Sequence, residues 1–510
     1  MQEKYIQSRL NGNSTNSCKW EVIFFYSCCT LSAVVIFIEA FESFSYDIWV
    51  DEAFSLRMIE HSWFEIVQLT AMDVHPPLYY FILKLGVGIT HNISGIPIIV
   101  CAKLVSVMPI LILWIMNVLY IRPRYGKCVA GMFSLCITAA PNLTAYSVDI
   151  RMYGWGLLFV TATWQVAFSL YADGLGRKSL RGRLAALVAG TLLAAYTHYF
   201  ALVSIAFAWL MLLVKWIRER KYLLLKRLVF AGVITFIGYL PWLFVLIQQI
   251  QNVKESYWIP QITLETIIQY VFFAFGNILW LIIFVVIIFV FLFDREIAAL
   301  PKHILLWSIS ATVGTVSFGI IASATIRPVF VERYMVPTLG CLWFGLCLAW
   351  SKTKSRYLRI GIFAAILLLA LENVGAFVSQ ENVARESTNA LYQVLDFDTD
   401  AVYIVEDARA RNVLAALTGQ SCYQYGSEVD TLTRSVYENV DSISSIDEAA
   451  NFIKSGKTVY FVDSPNEEEM IELEEFSSSG LDKDFIGGFF VENTVARQEI
   501  NIYQLVLVSS

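Results

Sequence analysis

The sequence predicts a mainly α protein: a polytopic transmembrane helix bundle of about 11 spans, followed by a small extracytoplasmic α/β domain. Three observations predict it. The 510 residues are 57% hydrophobic and 16% charged, with a mean hydropathy of +0.60, whereas soluble domains carry about a quarter charged residues. Apolar runs of roughly 20 residues, the length that crosses hydrocarbon, recur up to residue 378. The charge then changes character. From Ser379 onward 8 Lys and Arg face 24 Asp and Glu, a net of −16, while the rest of the chain is +10. Two different objects share the chain, with a boundary near residue 380.

Residues 1–21 are polar and show no cleavage-site pattern near the first apolar run, so they read as a cytoplasmic N-terminus ahead of a retained signal anchor. Residues 22–378 form the transmembrane domain, with runs near 22–41, 97–120, 127–147, 153–171, 228–249, 277–293, 303–322, 335–350 and 360–378. Leu184–Trp216 is too long for one straight span. Arg177, Lys178, Arg181 and Arg183 precede it, Lys215, Arg218, Arg220 and Lys221 follow it, and basic loops stay in the cytoplasm. A hairpin of two helices turning at Thr197-His198-Tyr199 is expected. The basic residues at 122–127, 295–302 and 352–359 fit the same frame, and eleven crossings leave the tail outside the plasma membrane. The first outer loop, about residues 42–96, holds the short apolar segment Pro77–Thr90, expected to be an interfacial helix. Read as a span instead, it would invert the topology downstream.

The acidic tail, residues 379–510, alternates short strands (Val402–Val405, Val459–Val462, Ile500–Val508) with helices (Ala408–Leu417, Ile446–Lys454, Glu467–Ser478), the pattern of a small α/β domain. It shows no glycine-rich phosphate loop and no metal-spaced cluster. Its acidity argues against anionic partners, and no nucleic acid is expected. Of nine cysteines, eight precede residue 350, mostly in apolar runs, and only Cys422 lies in the tail. They read as small apolar fillers, not as a disulfide framework.

Charged groups beside a bilayer are costly, so their placement is informative. The first loop carries Asp47, Asp51-Glu52 and Asp73-Val-His75-Pro-Pro, followed by Tyr79-Tyr80. The outer end of the third span carries Tyr146-Ser-Val-Asp149-Ile-Arg151-Met-Tyr153, the hairpin turn offers His198, and the last outer loop carries Arg327 and Glu332-Arg333-Tyr334. The predicted topology brings all of these to one face. Paired acids beside apolar sequence suit a general base, and arginines at a membrane surface suit a lipid phosphate. Tyrosine and tryptophan stack on sugar rings or anchor at the interface. Each group also has a plain structural reading: a solvated acidic pair, a helix-end salt bridge, interfacial anchors, a turn histidine. Asp73, His75 and His198 have the ligand chemistry of a zinc or manganese site, although their spacing fixes nothing. No other cofactor is expected.

The ordered set Asp51-Glu-Ala-Phe-Ser, Asp73-Val-His-Pro-Pro-Leu-Tyr-Tyr, Asp149-Ile-Arg-Met-Tyr, Tyr196-Thr-His-Tyr-Phe and Glu332-Arg-Tyr resembles the GT-C membrane glycosyltransferases. Its nearest likeness is to the bacterial branch related to protein O-mannosyltransferases and lipid A aminoarabinose transferases. The resemblance covers about residues 20–350 and leaves the tail outside. It implies a polyprenyl-phosphate-linked sugar donor, inversion at the anomeric carbon and an acceptor hydroxyl on a glycan, lipid or protein. Asp51 matches the family's catalytic acid, expected as general base, with Glu52 as its acidic neighbour. Arg333 and Arg151 would face the donor phosphate. Asp73, His75, Asp149, Tyr153, His198 and Tyr334 would line the pocket. Asp149 stands where many relatives have glutamate, which shortens that side chain. Rival readings are a lipid-linked sugar transporter or flippase, whose polar residues belong near the midplane, and a ligase that moves whole glycans.

Overall fold

The computed structural model of the protein describes residues 19–172, 177–253, 259–395, 400–463, 481–492 and 497–507. They fall into two compact units. The first holds the chain up to Ser43 together with Val74–Tyr79 and Lys103–Phe377, and the second holds Phe44–Asp73, Tyr80–Ala102 and the chain from Val378.

Among the described residues, eight helices are long and apolar enough to cross a membrane: Lys19–Glu42, Ile98–Tyr125, Tyr153–Ala172, Tyr199–Arg218, Tyr222–Gln251, Ala299–Thr325, Glu332–Lys352 and Arg356–Val394. A ninth arises if Leu264–Phe275 and Ile278–Phe293, bent by 77°, make one crossing. Two of the expected eleven fall outside this class for separate reasons. Lys127–Ala139 has only 13 residues, because Pro141 and the left-handed Asn142 (φ 61°) follow it. Arg177–Ala195 opens on basic residues. The expected hairpin is present, as Arg177–Ala195 and Tyr199–Arg218 with His198 between them.

Within the first unit, Val336–Lys352 is central. Of the apolar window in Glu332–Lys352, 94% is buried inside the protein, against 11% for Tyr222–Gln251, which leaves its apolar side chains for lipid. Small residues set the close contacts, as helices packing in lipid require. A Cβ on Gly340 would overlap Thr161, and one on Gly190 would overlap Thr163. Eight cysteines are described, all free and nearly all buried.

The second unit joins the first loop to the tail. Its sheet has the order β3-β2-β1-β4-β6-β5, from β1 Ala401–Val405, β2 Ser421–Tyr425, β3 Val440–Ile443, β4 Thr458–Asp463, β5 Leu481–Glu492 and β6 Arg497–Leu507. The first four in that order are parallel, and β6 and β5 are antiparallel additions. β1 is buried along its whole length, as a parallel strand covered on both faces must be. The expected helix Glu467–Ser478 lies outside the described residues. Arg356–Val394 is one helix of 39 residues, so it runs unbroken through residue 379.

Two loop helices, Val50–Met58 and Trp63–Met72, pack on this domain. The Arg57 guanidinium donates to the Ala415 carbonyl in the last turn of the Ala408–Thr418 helix, where the helix dipole favours a cation. His61 Nε2 lies 3.1 Å from the Val436 carbonyl oxygen. The first loop and the tail therefore lie on the same side of any membrane the spans cross.

Candidate active site

In the second unit, Asp51 occupies the first turn of Val50–Met58, and Trp49 is the N-cap. The Glu52 carboxylate accepts the Trp49 N–H at 3.1 Å, so this buried acid satisfies the backbone donor at the N-cap of the helix. The adjacent pair thus divides its work: Glu52 serves the helix terminus, and Asp51 stands beside it half-buried. Asp73 ends the next helix as the C-cap of Trp63–Met72.

In the first unit, residues remote in sequence converge on His198. Its ring centroid is 4.9 Å from Tyr334, 5.8 Å from Tyr153 and 6.1 Å from both His75 and Phe200. Tyr153 is also 6.4 Å from Tyr334 and 5.3 Å from Tyr146. Local structure explains each placement. Pro76 and Pro77 lead directly into the Leu78–Ser94 helix, and the Leu78 N–H bonds the Tyr196 carbonyl at 3.0 Å, tying the loop to the hairpin turn. The 149–151 turn closes on a 2.6 Å bond from the Arg151 N–H to the Asp149 carbonyl, and the Tyr153–Ala172 helix starts directly after it. Arg333 and Tyr334 sit in the 3-10 turn Glu332–Met335 that opens Val336–Lys352.

His198 is the N-cap of Tyr199–Arg218, and its Nδ1 accepts the Phe200 N–H at 3.2 Å. That bond fixes the neutral tautomer with the proton on Nε2. Burial holds the imidazole well below its usual range, and the charges of His75, Arg151 and Arg333 push the same way. His198 is therefore an uncharged Nε2–H donor in a positive field at neutral pH. Asp149, Glu332 and Arg333 also act electrostatically on Tyr146, which places these four groups in one neighbourhood.

Seven residues singled out from sequence are thus gathered in the first unit: His75, Asp149, Arg151, Tyr153, His198, Arg333 and Tyr334. Asp51, Glu52 and Asp73 belong to the second. Sequence reasoning missed Phe330, packed against Tyr334 at 6.1 Å, and gave no role to Tyr146 or Phe200, which lie within its motifs; Phe200 packs against Tyr334 at 5.4 Å. It also missed Glu39, fully buried in the first span beside Ser147. A carboxyl inside an apolar run was the available signal. Among the described residues no three His, Cys, Asp or Glu side chains gather as a metal site requires. His75 and His198 are ring neighbours within the first unit. Two guanidinium groups, a neutral imidazole donor and an aromatic wall can hold an anion attached to a hydroxylated group.

No protein-family model and no curated protein sequence matches the chain. Solved structures do. The crystal structure of ArnT from Cupriavidus metallidurans in the apo state matches with a TM-score of 0.62 and 14% identity, over 93% of this chain and 97% of that one. ArnT bound to undecaprenyl phosphate matches with a TM-score of 0.61 at 14% identity, over 96% and 98%. The chain has the fold of ArnT. The likeness also corrects one expectation, since coverage of 93% extends well into the tail that the sequence motifs left outside.

Proposed function

We propose that the protein is a membrane glycosyltransferase that moves a sugar from a polyprenyl-phosphate donor to an acceptor hydroxyl on the extracytoplasmic side. The observation that carries this reading is the meeting of Arg151 and Arg333 around a buried, neutral His198. Two cations held in a largely buried cluster are matched by the phosphate of a lipid carrier, whose chain arrives through the bilayer. That ArnT binds undecaprenyl phosphate on the same fold supports the choice of anion.

In this mechanism Arg333, with Arg151, holds the donor phosphate and stabilises it as leaving group. His198 Nε2–H adds a neutral donor that does not compete for the charge. Asp51 takes the proton from the acceptor hydroxyl as its oxygen attacks the anomeric carbon, with inversion. The bond from that carbon to the phosphate oxygen breaks, and the phosphate leaves as an anion without acid assistance. Glu52 holds the helix that carries Asp51. Tyr153, Tyr334, His75 and Asp149 line the sugar's surroundings.

The test is incubation of purified protein with radiolabelled polyprenyl-phosphate sugars and a cell-envelope extract, followed by identification of the labelled product. Label transferred to an envelope component supports the reading. Label that stays on the lipid, or crosses a vesicle membrane on it, overturns the reading in favour of transport.

A further inference from the structure

The second unit contains a groove that the proposed chemistry does not use. It has a volume of about 530 Å³ and lies between the loop helices and the edge of the tail's sheet where β2 and β3 begin. Arg57, Glu60 and His61 form one wall, and Gly419, Val436 and Glu438 form the other. Its walls are held in register by the Arg57 bond to Ala415 and the His61 contact with Val436. The volume is that of a small-molecule site, yet Val436 supplies the one apolar side chain among these six. Gly419 (φ +69°) leaves open space where a Cβ would stand.

We infer that this groove is a subsite for the non-reacting sugar units of a hydroxyl-rich, non-anionic glycan acceptor, an inference that rests on the glycosyltransferase reading. Three features carry it. A wall almost without apolar side chains offers nothing to an acyl chain, while carboxylates are strong acceptors for sugar hydroxyls. The charge is lopsided: Glu60, Glu65 and Glu438 line the groove against Arg57, which is already paired with Glu60 at 2.8 Å. This field disfavours a phosphorylated headgroup or a uronate chain and tolerates neutral or amine-bearing sugars. Position is the third. Arg57 and Asp51 share one helix, about 9 Å apart along its axis and about 120° apart around it, a path that two or three linked sugar units span. A glycan whose terminal hydroxyl reaches Asp51 has its next units at that range, so the groove reads acceptor length.

Binding is measured on the full chain in nanodiscs, without donor, with chitosan tetramer, maltotetraose, tetragalacturonate and glucosamine as probes. The first two are expected to bind, the monosaccharide about tenfold more weakly or not at all, and tetragalacturonate not at all. Glu438→Gln should weaken chitosan tetramer binding, and Glu438→Arg should cut binding of both tetramers by about tenfold, with expression and thermal unfolding unchanged. Equal binding of tetragalacturonate, binding unaffected by Glu438→Arg, or no binding of any tetrasaccharide overturns the subsite. The two readings fail separately. Transfer activity that survives Asp51→Asn sinks the catalytic assignment and leaves the binding result standing, whereas Asp51-dependent transfer with glycan binding indifferent to Glu438 sinks only the subsite.

Discussion

His198 and Tyr334 meet edge to face, with ring centroids 4.9 Å apart and planes at 62°. One belongs to the turn of a helical hairpin and the other to the 3-10 turn that opens the most buried span. Aromatic pairs favour this geometry, and the Phe200 N–H on Nδ1 fixes the remaining freedom of the imidazole. The ring therefore presents one defined donor, Nε2–H, where Arg151 and Arg333 exert their charge. This is preorganisation: the groups that would meet a phosphate are oriented before it arrives.

The two neighbouring acids of the first loop should behave differently. Asp51→Asn should reduce transfer by about 10²- to 10⁴-fold, the usual contribution of a general base, with expression and membrane insertion intact. Glu52→Gln should retain most activity, because glutamine also accepts the Trp49 N–H at the start of the helix. Glu52→Ala should lower stability by about 1 kcal/mol. Initial rates and thermal unfolding of the three variants check this, and equal rates in Asp51→Asn and wild type would remove Asp51 from the chemistry.

Arg333→Ala should weaken donor binding by about tenfold to a hundredfold, the worth of a charged hydrogen bond, while acceptor KM changes little. Arg333→Lys should recover part of the loss, since lysine keeps the charge without the bidentate fork. Titration of undecaprenyl phosphate against each variant measures the effect. Loss of donor and acceptor binding in equal measure would assign Arg333 a structural role.

The buried His198 also predicts a pH dependence of stability. Its folded imidazole is held well below the ordinary value of 6.5. As pH falls below about 6.5 the unfolded chain takes up a proton that the folded chain resists, so this residue's contribution is lost on acidification and constant above that point. Thermal unfolding between about pH 5 and 8 should show a slope that flattens in His198→Gln. An unchanged slope would mean that other groups carry it.

Much of this was legible in the sequence, and the failures have physical causes. The hairpin at His198 followed from basic clusters flanking a stretch too long for one span, because charge sidedness and bilayer thickness act on sequence directly. β1 and β4 were readable as continuous apolar runs. β2, Ser421-Cys-Tyr-Gln-Tyr, alternates buried and half-buried residues and carries a glutamine that is itself buried. β5 contains Gly487-Gly488 at a register shift, and glycine weakens any strand signal. The docking of the first loop on the tail was invisible for another reason. Its partners, Ala415 and Val436, accept through main-chain carbonyls, which every residue possesses.

The packing around Val336–Lys352 should tolerate little. Gly340→Leu would drive its side chain into Thr161 and Leu157, and overpacking costs about 1–3 kcal/mol. A lowered melting temperature in detergent is expected. Gly361→Leu, where a Cβ meets nothing within 4 Å, should leave it unchanged. Equal stability of the two variants would mean that the helices repack around the leucine.

The proposed reaction depends above all on sidedness: the acids of the first loop, the arginine at the mouth of the last outer turn and the tail must face the same aqueous side. The direct measurement is labelling of single cysteines at positions 51, 149, 333 and 438, in a chain stripped of its native cysteines, with a membrane-impermeant maleimide applied to intact cells. All four should react from outside, with a cysteine at position 220 reacting only after the cells are opened. If position 333 or 149 reacts only in opened cells while position 51 reacts in intact ones, the phosphate-binding and proton-accepting groups lie across the membrane from each other, and the proposed reaction is impossible.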